Sequence, residues 1–228
     1  MSIEGKLSNL RKESEEREAR VQKERLASLI GKLVSLDLIT NEINNFDFQN
    51  QPTAFFLDII FAGALASRAS DIHLEPESEK IRLRYRVDGL LYDIIRFPLE
   101  WYKLLLSRIK HQANLKINIT DRPQDGRFSV HLPDKDVELR VSVIPSEYGE
   151  TAVIRVLDPE TINLQLADLG LRADDLAIIE EELISPNGMI LNTGPTGSGK
   201  TTTLYTFLKK KQTSEIKMFY LRYKYYNF

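Results

Sequence analysis

Residues Gly194-Pro195-Thr196-Gly197-Ser198-Gly199-Lys200-Thr201 satisfy every defined position of a phosphate-binding loop, between a short apolar run, Met189 to Asn192, and a helix starting near Lys200. Each residue type has a job there. Glycines let the backbone bend into a concave nest whose amides, at Gly197, Ser198, Gly199 and Lys200, face phosphate oxygens, and the positive end of the following helix strengthens the attraction. Lys200 is the cation for the β- and γ-phosphates. The Thr201 hydroxyl is placed to ligate Mg²⁺, and Thr202, one residue deeper, to bond an α-phosphate oxygen. ATP with Mg²⁺ is the ligand expected. A glycine-rich turn that merely joins strand to helix is the plainer reading, and the full motif in its proper setting favours the nucleotide.

Turnover needs more than grip, because phosphoryl transfer also requires a carboxylate near Mg²⁺ and a group that orients the attacking water. After Lys200 the single acidic residue is Glu215, and no apolar run there ends in Asp or Glu. The rest of a nucleotide-binding sheet would need on the order of 100 further residues. A polypeptide of these 228 residues is therefore expected to bind nucleotide without hydrolysing it.

The loop needs elements to hold it, and composition bounds what they are. With 31 Lys and Arg against 33 Asp and Glu the net charge is −2, so the chain as a whole is not drawn to nucleic acid or an anionic membrane. There is no cysteine and there are only three histidines, which excludes a disulfide framework and a thiolate zinc site. The longest apolar stretch, Ala54 to Ala66, contains Asp58 and falls short of the roughly 18 to 20 residues of a membrane span. The charged start does not read as a secretory signal, so a cytoplasmic location is expected.

Along the chain, residues 1–52 read as a charged helical arm and linker, with sparse apolar positions from Leu7 to Ile39 and an Asn/Gln-rich stretch from Asn44 to Pro52. Residues 53–159 read as an α+β domain. Thr53 is the expected cap of a helix with an apolar stripe; Ile81, Leu83, Tyr85 and Val87 alternate with Arg82, Arg84 and Arg86 before an Asp88-Gly89 turn and the run Leu90 to Ile95. A helix from Trp101 to about Asn114 precedes a second hairpin, with Phe128 and Val130 facing Val137 and Leu139, and Thr151 to Leu157 forms a further strand. Arg82, Arg84 and Arg86 share one strand face, which suits either an intersubunit surface or a solvated one. Residues 160–213 begin an α/β domain, with a helix from Asp174 to Ile184, a strand from Met189 to Asn192, and the loop. Residues 214–228 are an atypical basic-aromatic tail holding six aromatics, readable as a nucleic-acid patch with Lys209, Lys210 and Lys211 or, as we prefer, as an abnormal terminus.

Five strings in order, Ala69-Ser70-Asp71-Ile72-His73-Leu74-Glu75-Pro76, Arg84-Tyr85-Arg86-Val87-Asp88-Gly89, Pro123-Gln124-Asp125-Gly126-Arg127, Leu139-Arg140-Val141-Ser142 and the loop with Thr202-Thr203-Leu204-Tyr205, resemble the ATPase family that powers type II secretion and type IV pilus assembly. The resemblance covers Thr53 to about Leu208. It implies a PAS-like first domain, a flexible link and a RecA-like motor domain, assembled as a hexameric ring that docks on an inner-membrane platform protein. Membrane association would be peripheral and through partners, with no nucleic acid involved. It also implies that Arg127, Arg140 and Arg155 contact phosphate or the neighbouring subunit, a role suited to a guanidinium that stays charged and forks onto oxygen. His73 belongs to the family string and is assigned to packing. The acidic, Walker B and histidine motifs that relatives carry after the loop have no counterpart in these residues. A non-catalytic module that binds family subunits is the alternative function.

Overall fold

The computed structural model describes residues 19–159, 164–195 and 198–212. They fall into two units, Met1–Asp158 and Pro159–Phe228. The basic-aromatic tail, Glu215 included, lies outside the described residues.

In the first unit a helix over 19–32 (α1) leads to α2, Leu36–Asn44, and α3, Thr53–Ala66. Strands β1, Asp71–Pro76, β2, Lys80–Val87, and β3, Leu90–Pro98, precede α4, Leu99–Gln112, and β4, Gln124–His131, β5, Asp136–Ser146, and β6, Gly149–Leu157, follow it. All six strands form one antiparallel sheet in the order β3-β2-β1-β6-β5-β4. Period-two alternation decides its faces: Ile81, Leu83, Tyr85, Leu139, Val141, Val143, Ala152 and Ile154 are buried, whereas their neighbours in sequence point the other way. The Asp88-Gly89 turn has positive φ at both residues, as a tight two-residue hairpin requires. Strand β1 was not singled out by alternation, and it lies at the centre of the sheet, paired with β2 and β6.

The N-terminal residues differ most from expectation. Helices α1 and α2 and the turn between them, expected to form a charged arm, bury Leu26, Leu29, Leu33, Ile39 and Ile43 in the same core as the sheet. Charged residues surround these few apolar ones, so the sequence reads as solvated although each apolar side chain is used. The Asn/Gln-rich stretch is no loose linker either. Asp47 accepts from the Gln49 and Asn50 amides and the Asn50 side chain, and Phe46 and Phe48 pack on Phe56 and Trp101 with ring centroids 4.9 to 6.0 Å apart. Thr53 does not cap α3; Pro52 stands at the cap and Thr53 is the first helical residue. Nor does α3 have a stripe, since every residue from Phe56 to Ala64 is buried. It lies between the sheet, through Tyr85 Oη donating to the Ile60 carbonyl at 2.7 Å, and α1.

That contact with α1 runs through Asp58, 1% exposed, which accepts from Gln22 Nε2 at 2.8 Å and Arg25 Nη1 at 3.1 Å. Burial raises its pKa above the ordinary range, against the lowering effect of Gln22 and Arg25.

In the second unit a 3-10 turn, Leu166–Leu169, precedes α5, Ala173–Ile184, and α6, Lys200–Lys211. Leu166, Leu183 and Phe207 are buried together, flanked by Leu169, Leu171, Leu176 and Ile179. Lys210 pairs with Glu180 at 3.1 Å and Lys211 Nζ donates to the Ser185 carbonyl at 2.8 Å, so both lysines fasten α6 to the end of α5. The expected strand Met189 to Asn192 is not formed; Met189 is 90% and Leu191 79% exposed. A strand needs a hydrogen-bonding neighbour, and none is paired with it among the described residues.

Candidate functional site

The loop is shaped by its end residues. Gly194 has φ 154°, and a Cβ there would lie 2.7 Å from Ser198 Oγ, so only glycine fits. At the other end Gly199, in the left-handed region, caps α6, whose first-turn amides have no intrahelical acceptor. Lys200, the first residue of α6, turns its ammonium back onto the loop, donating to the carbonyls of Gly194, at 2.7 Å, and Pro195. Asn192 Nδ2 donates to the Lys200 carbonyl at 2.9 Å and ties the incoming chain to the helix start. One amide differs from expectation: that of Ser198 donates to the Pro195 carbonyl at 3.3 Å, closing a turn. Thr196 and Gly197 lie outside the described residues.

A helix start with free amides, a tethered ammonium and an exposed Thr201 hydroxyl in the first turn together fit a polyphosphate with its metal. Thr201 could supply one oxygen to Mg²⁺, which usually completes its shell with phosphate oxygens and water. Among the described residues no cluster of three or more His, Cys, Asp or Glu could hold a metal alone. Thr202, half-buried, has its carbonyl bonded by the Thr206 hydroxyl at 2.9 Å.

The three predicted arginines come together on the open face of the first unit's sheet. Arg127 lies opposite Arg140 across β4 and β5, and Arg140 opposite Arg155 across β5 and β6. The row continues through Asp71 on β1 to Arg86 on β2. Its carboxylates are shared: Glu138 lies 2.9 Å from Arg140 and 3.9 Å from Arg127, and Asp71 2.9 Å from Arg155 and 3.4 Å from Arg86. Two carboxylates thus serve four guanidinium groups, and Arg127 is 75% exposed. Like charges opposite one another in a sheet oppose the pairing, and the two carboxylates offset only part of that charge. The other two β2 arginines behave differently. Arg82 is forked onto Asp93 at 3.0 and 2.8 Å, and Arg84 donates to Glu75, which makes their part of the face largely self-neutralised.

His73, on β1 beside Arg84, has Nδ1 3.6 Å from Glu75, and burial holds its pKa below the ordinary imidazole range despite that carboxylate. Sequence reasoning missed the buried Asp58 and Lys110. Each stands as a charge inside an otherwise apolar helix face, the one signal that could have pointed to it.

The described geometry agrees with the comparison of the chain to known families, in which the model described as Type II/IV secretion system protein matches residues 47–221. The chain belongs to that family. The type IV pilus assembly ATPase PilB of Myxococcus xanthus is 39% identical over 179 residues, 76% of this chain and 32% of that protein. The type II secretion system protein E of Xanthomonas campestris is 43% identical over 169 residues, 73% of this chain and 30% of that one. The chain therefore spans about a third of the length of these secretion-system relatives. Among solved structures the Legionella pneumophila ATPase DotB aligns with 72% of the chain and 44% of its own, at 21% identity and a TM-score of 0.40, too distant to inform the fold. No helix among the described residues is long and apolar enough to cross a membrane.

Proposed function

We propose that the chain is the ATP-binding portion of a hexameric ATPase that powers type II secretion or type IV pilus assembly. The observation that carries this reading is the loop itself: Lys200 tied to Gly194 and Pro195 at the start of α6, in a chain of the type II/IV secretion family. ATP enters with its phosphates over the first turn of α6, where amides and the Lys200 ammonium neutralise charge. Thr201 would hold Mg²⁺, which when bound would balance the charge of the phosphates. Arg127, Arg140 and Arg155 offer further guanidinium contacts to phosphate or to a neighbouring subunit. Such a ring would meet an inner-membrane platform protein and reach the membrane only through it.

In this reading a polypeptide of residues 1–228 binds ATP without turning it over, because among the described residues no base and no metal-supporting carboxylate is placed at the loop, and a guanidinium accepts no proton at neutral pH. The test is a calorimetric titration with ATP-Mg²⁺ beside a phosphate-release assay. Lys200→Ala should weaken binding by roughly ten- to a hundredfold, as loss of a charge-assisted phosphate contact predicts. Equal titrations for the two proteins would remove the loop from the argument. Phosphate release clearly above the Lys200→Ala control would sink the claim of no turnover.

A second reading, a non-catalytic module that binds family subunits, is favoured by two separate observations, the apolar core of the first unit and the exposure of residues 189–191 in the second. It predicts that the 228-residue chain lowers the turnover of an active relative when the two are mixed; unchanged turnover across a tenfold excess counts against it.

A further inference from the structure

Lys110 is 1% exposed, in the last turn of α4, and all three of its ammonium protons are used. They go to the Ile119 carbonyl at 2.9 Å and to Glu150 Oε1 and Oε2 at 2.6 and 2.8 Å. Glu150 is the second residue of β6, whereas Ile119 lies in the connection between α4 and β4, so one ammonium ties the start of β6 to the segment that leads into the edge strand. Two further locks act on the same connection. Gln124 Nε2 donates to the carbonyls of Lys116 and Ile119 at 3.0 and 2.9 Å, while its Oε1 accepts from the Lys116 amide at 3.0 Å. At Gly126 a Cβ would lie 2.3 Å from the Ala113 carbonyl, so only glycine lets β4 pass that close.

A buried ion pair is a weak source of stability, because desolvating both charges offsets most of their attraction; its best-attested use is to specify register. Register is what β4 needs. It is an edge strand, bonded on one side only, and it sets Arg127 opposite Arg140, a like-charge pairing that works against the strand's own position. A slip of one residue would turn Arg127 to the helix-covered face and expose Phe128.

We infer that Lys110 and Glu150, with Gln124, are positioning residues for Arg127: they hold the edge strand β4 in the register that keeps the Arg127–Arg140–Arg155 row aligned on the open face. This rests on the reading of that row as a phosphate contact. The pair Lys110→Met/Glu150→Met replaces the buried charges by apolar side chains of similar size, a change that commonly preserves stability.

The experiment uses the full chain carrying Lys200→Ala, which takes the loop out of the measurement, and inorganic tripolyphosphate as the probe, together with amide exchange over 124–131. Arg127→Gln should weaken tripolyphosphate binding about tenfold, the loss of one charge-assisted contact. The double methionine variant should weaken it by at least about threefold and speed exchange in β4 relative to β5, while its melting temperature stays near the parent's. Parent-like affinity together with parent-like β4 exchange in that variant overturns the inference. Unchanged affinity in Arg127→Gln would instead refute the phosphate role of the row, and β4 exchange alone then decides whether the lock exists. Should the double variant not fold, Gln124→Ala is read by the same two measurements.

Discussion

Replacing Asp58 by alanine tests whether α1 belongs to the core. Asp58→Ala removes the only carboxylate in α3 and with it both oxygens that accept from α1, from Gln22 Nε2 at 2.8 Å and from Arg25 Nη1 at 3.1 Å. A hydrogen bond to a charged group contributes about 1.5–3 kcal/mol, and the Gln22 bond is of this kind. The Arg25 pair contributes less, about 0.5 kcal/mol, because its side chain is 37% exposed and water screens it. Part of the loss returns, since burial of the carboxylate is itself unfavourable, as its raised pKa shows. The net cost is about 1–2 kcal/mol, which for a unit of this size lowers the melting temperature by about 3–6 °C. Thermal unfolding followed by circular dichroism measures the total, and amide exchange locates it: exchange over 19–32 should accelerate more than exchange in β1. A melting temperature within about 1 °C of the parent's, with α1 protected as before, would refute the reasoning that Asp58 fastens this helix.

Because the Asp58 pKa is raised above 3.8, its contribution is fully present below that value and is lost as pH rises through the folded pKa. The parent should therefore lose stability relative to Asp58→Asn as pH goes from about 4 to 7, measured by urea midpoints; a difference constant with pH would contradict the buried carboxylate. Gly194→Ala, which would set a Cβ 2.7 Å from Ser198 Oγ, should weaken ATP binding about tenfold and leave the melting of the first unit unchanged. Limited proteolysis should yield a resistant fragment that retains α1 and extends through β6, identified by mass; a limit fragment beginning near Thr53 would mean that Leu26, Leu29 and Leu33 are not held in the core.

Both hairpins, α4, α5 and the helix after the loop were legible in the sequence because their signals are local. Ile81, Leu83 and Tyr85 alternate with arginines, Asp88-Gly89 can adopt the turn, and the eight-residue loop carries its own glycines, lysine and threonine. The arginine candidates were legible only through the resemblance. Nothing in the spacing of Arg127, Arg140 and Arg155 shows that they stand in one row, since cross-strand register joins residues far apart in sequence.

Tertiary structure alone decided what is buried and what charges meet. Leu26, Leu29 and Leu33 look like occasional apolar residues in a charged helix until α3 lies against them, and Phe46 and Phe48 look like part of a polar linker until Phe56 and Trp101 pack on them. The run Met189 to Asn192 has the composition of a strand and pairs with no strand among the described residues, because composition supplies the side chains and only a neighbouring strand supplies the hydrogen bonds. In sequence Lys110 is one of two lysines in α4, and nothing local names its acceptors. Burial makes it a three-pronged tie, because an ammonium away from water must find every acceptor within the protein, and those acceptors, Ile119 and Glu150, are brought to it by the fold.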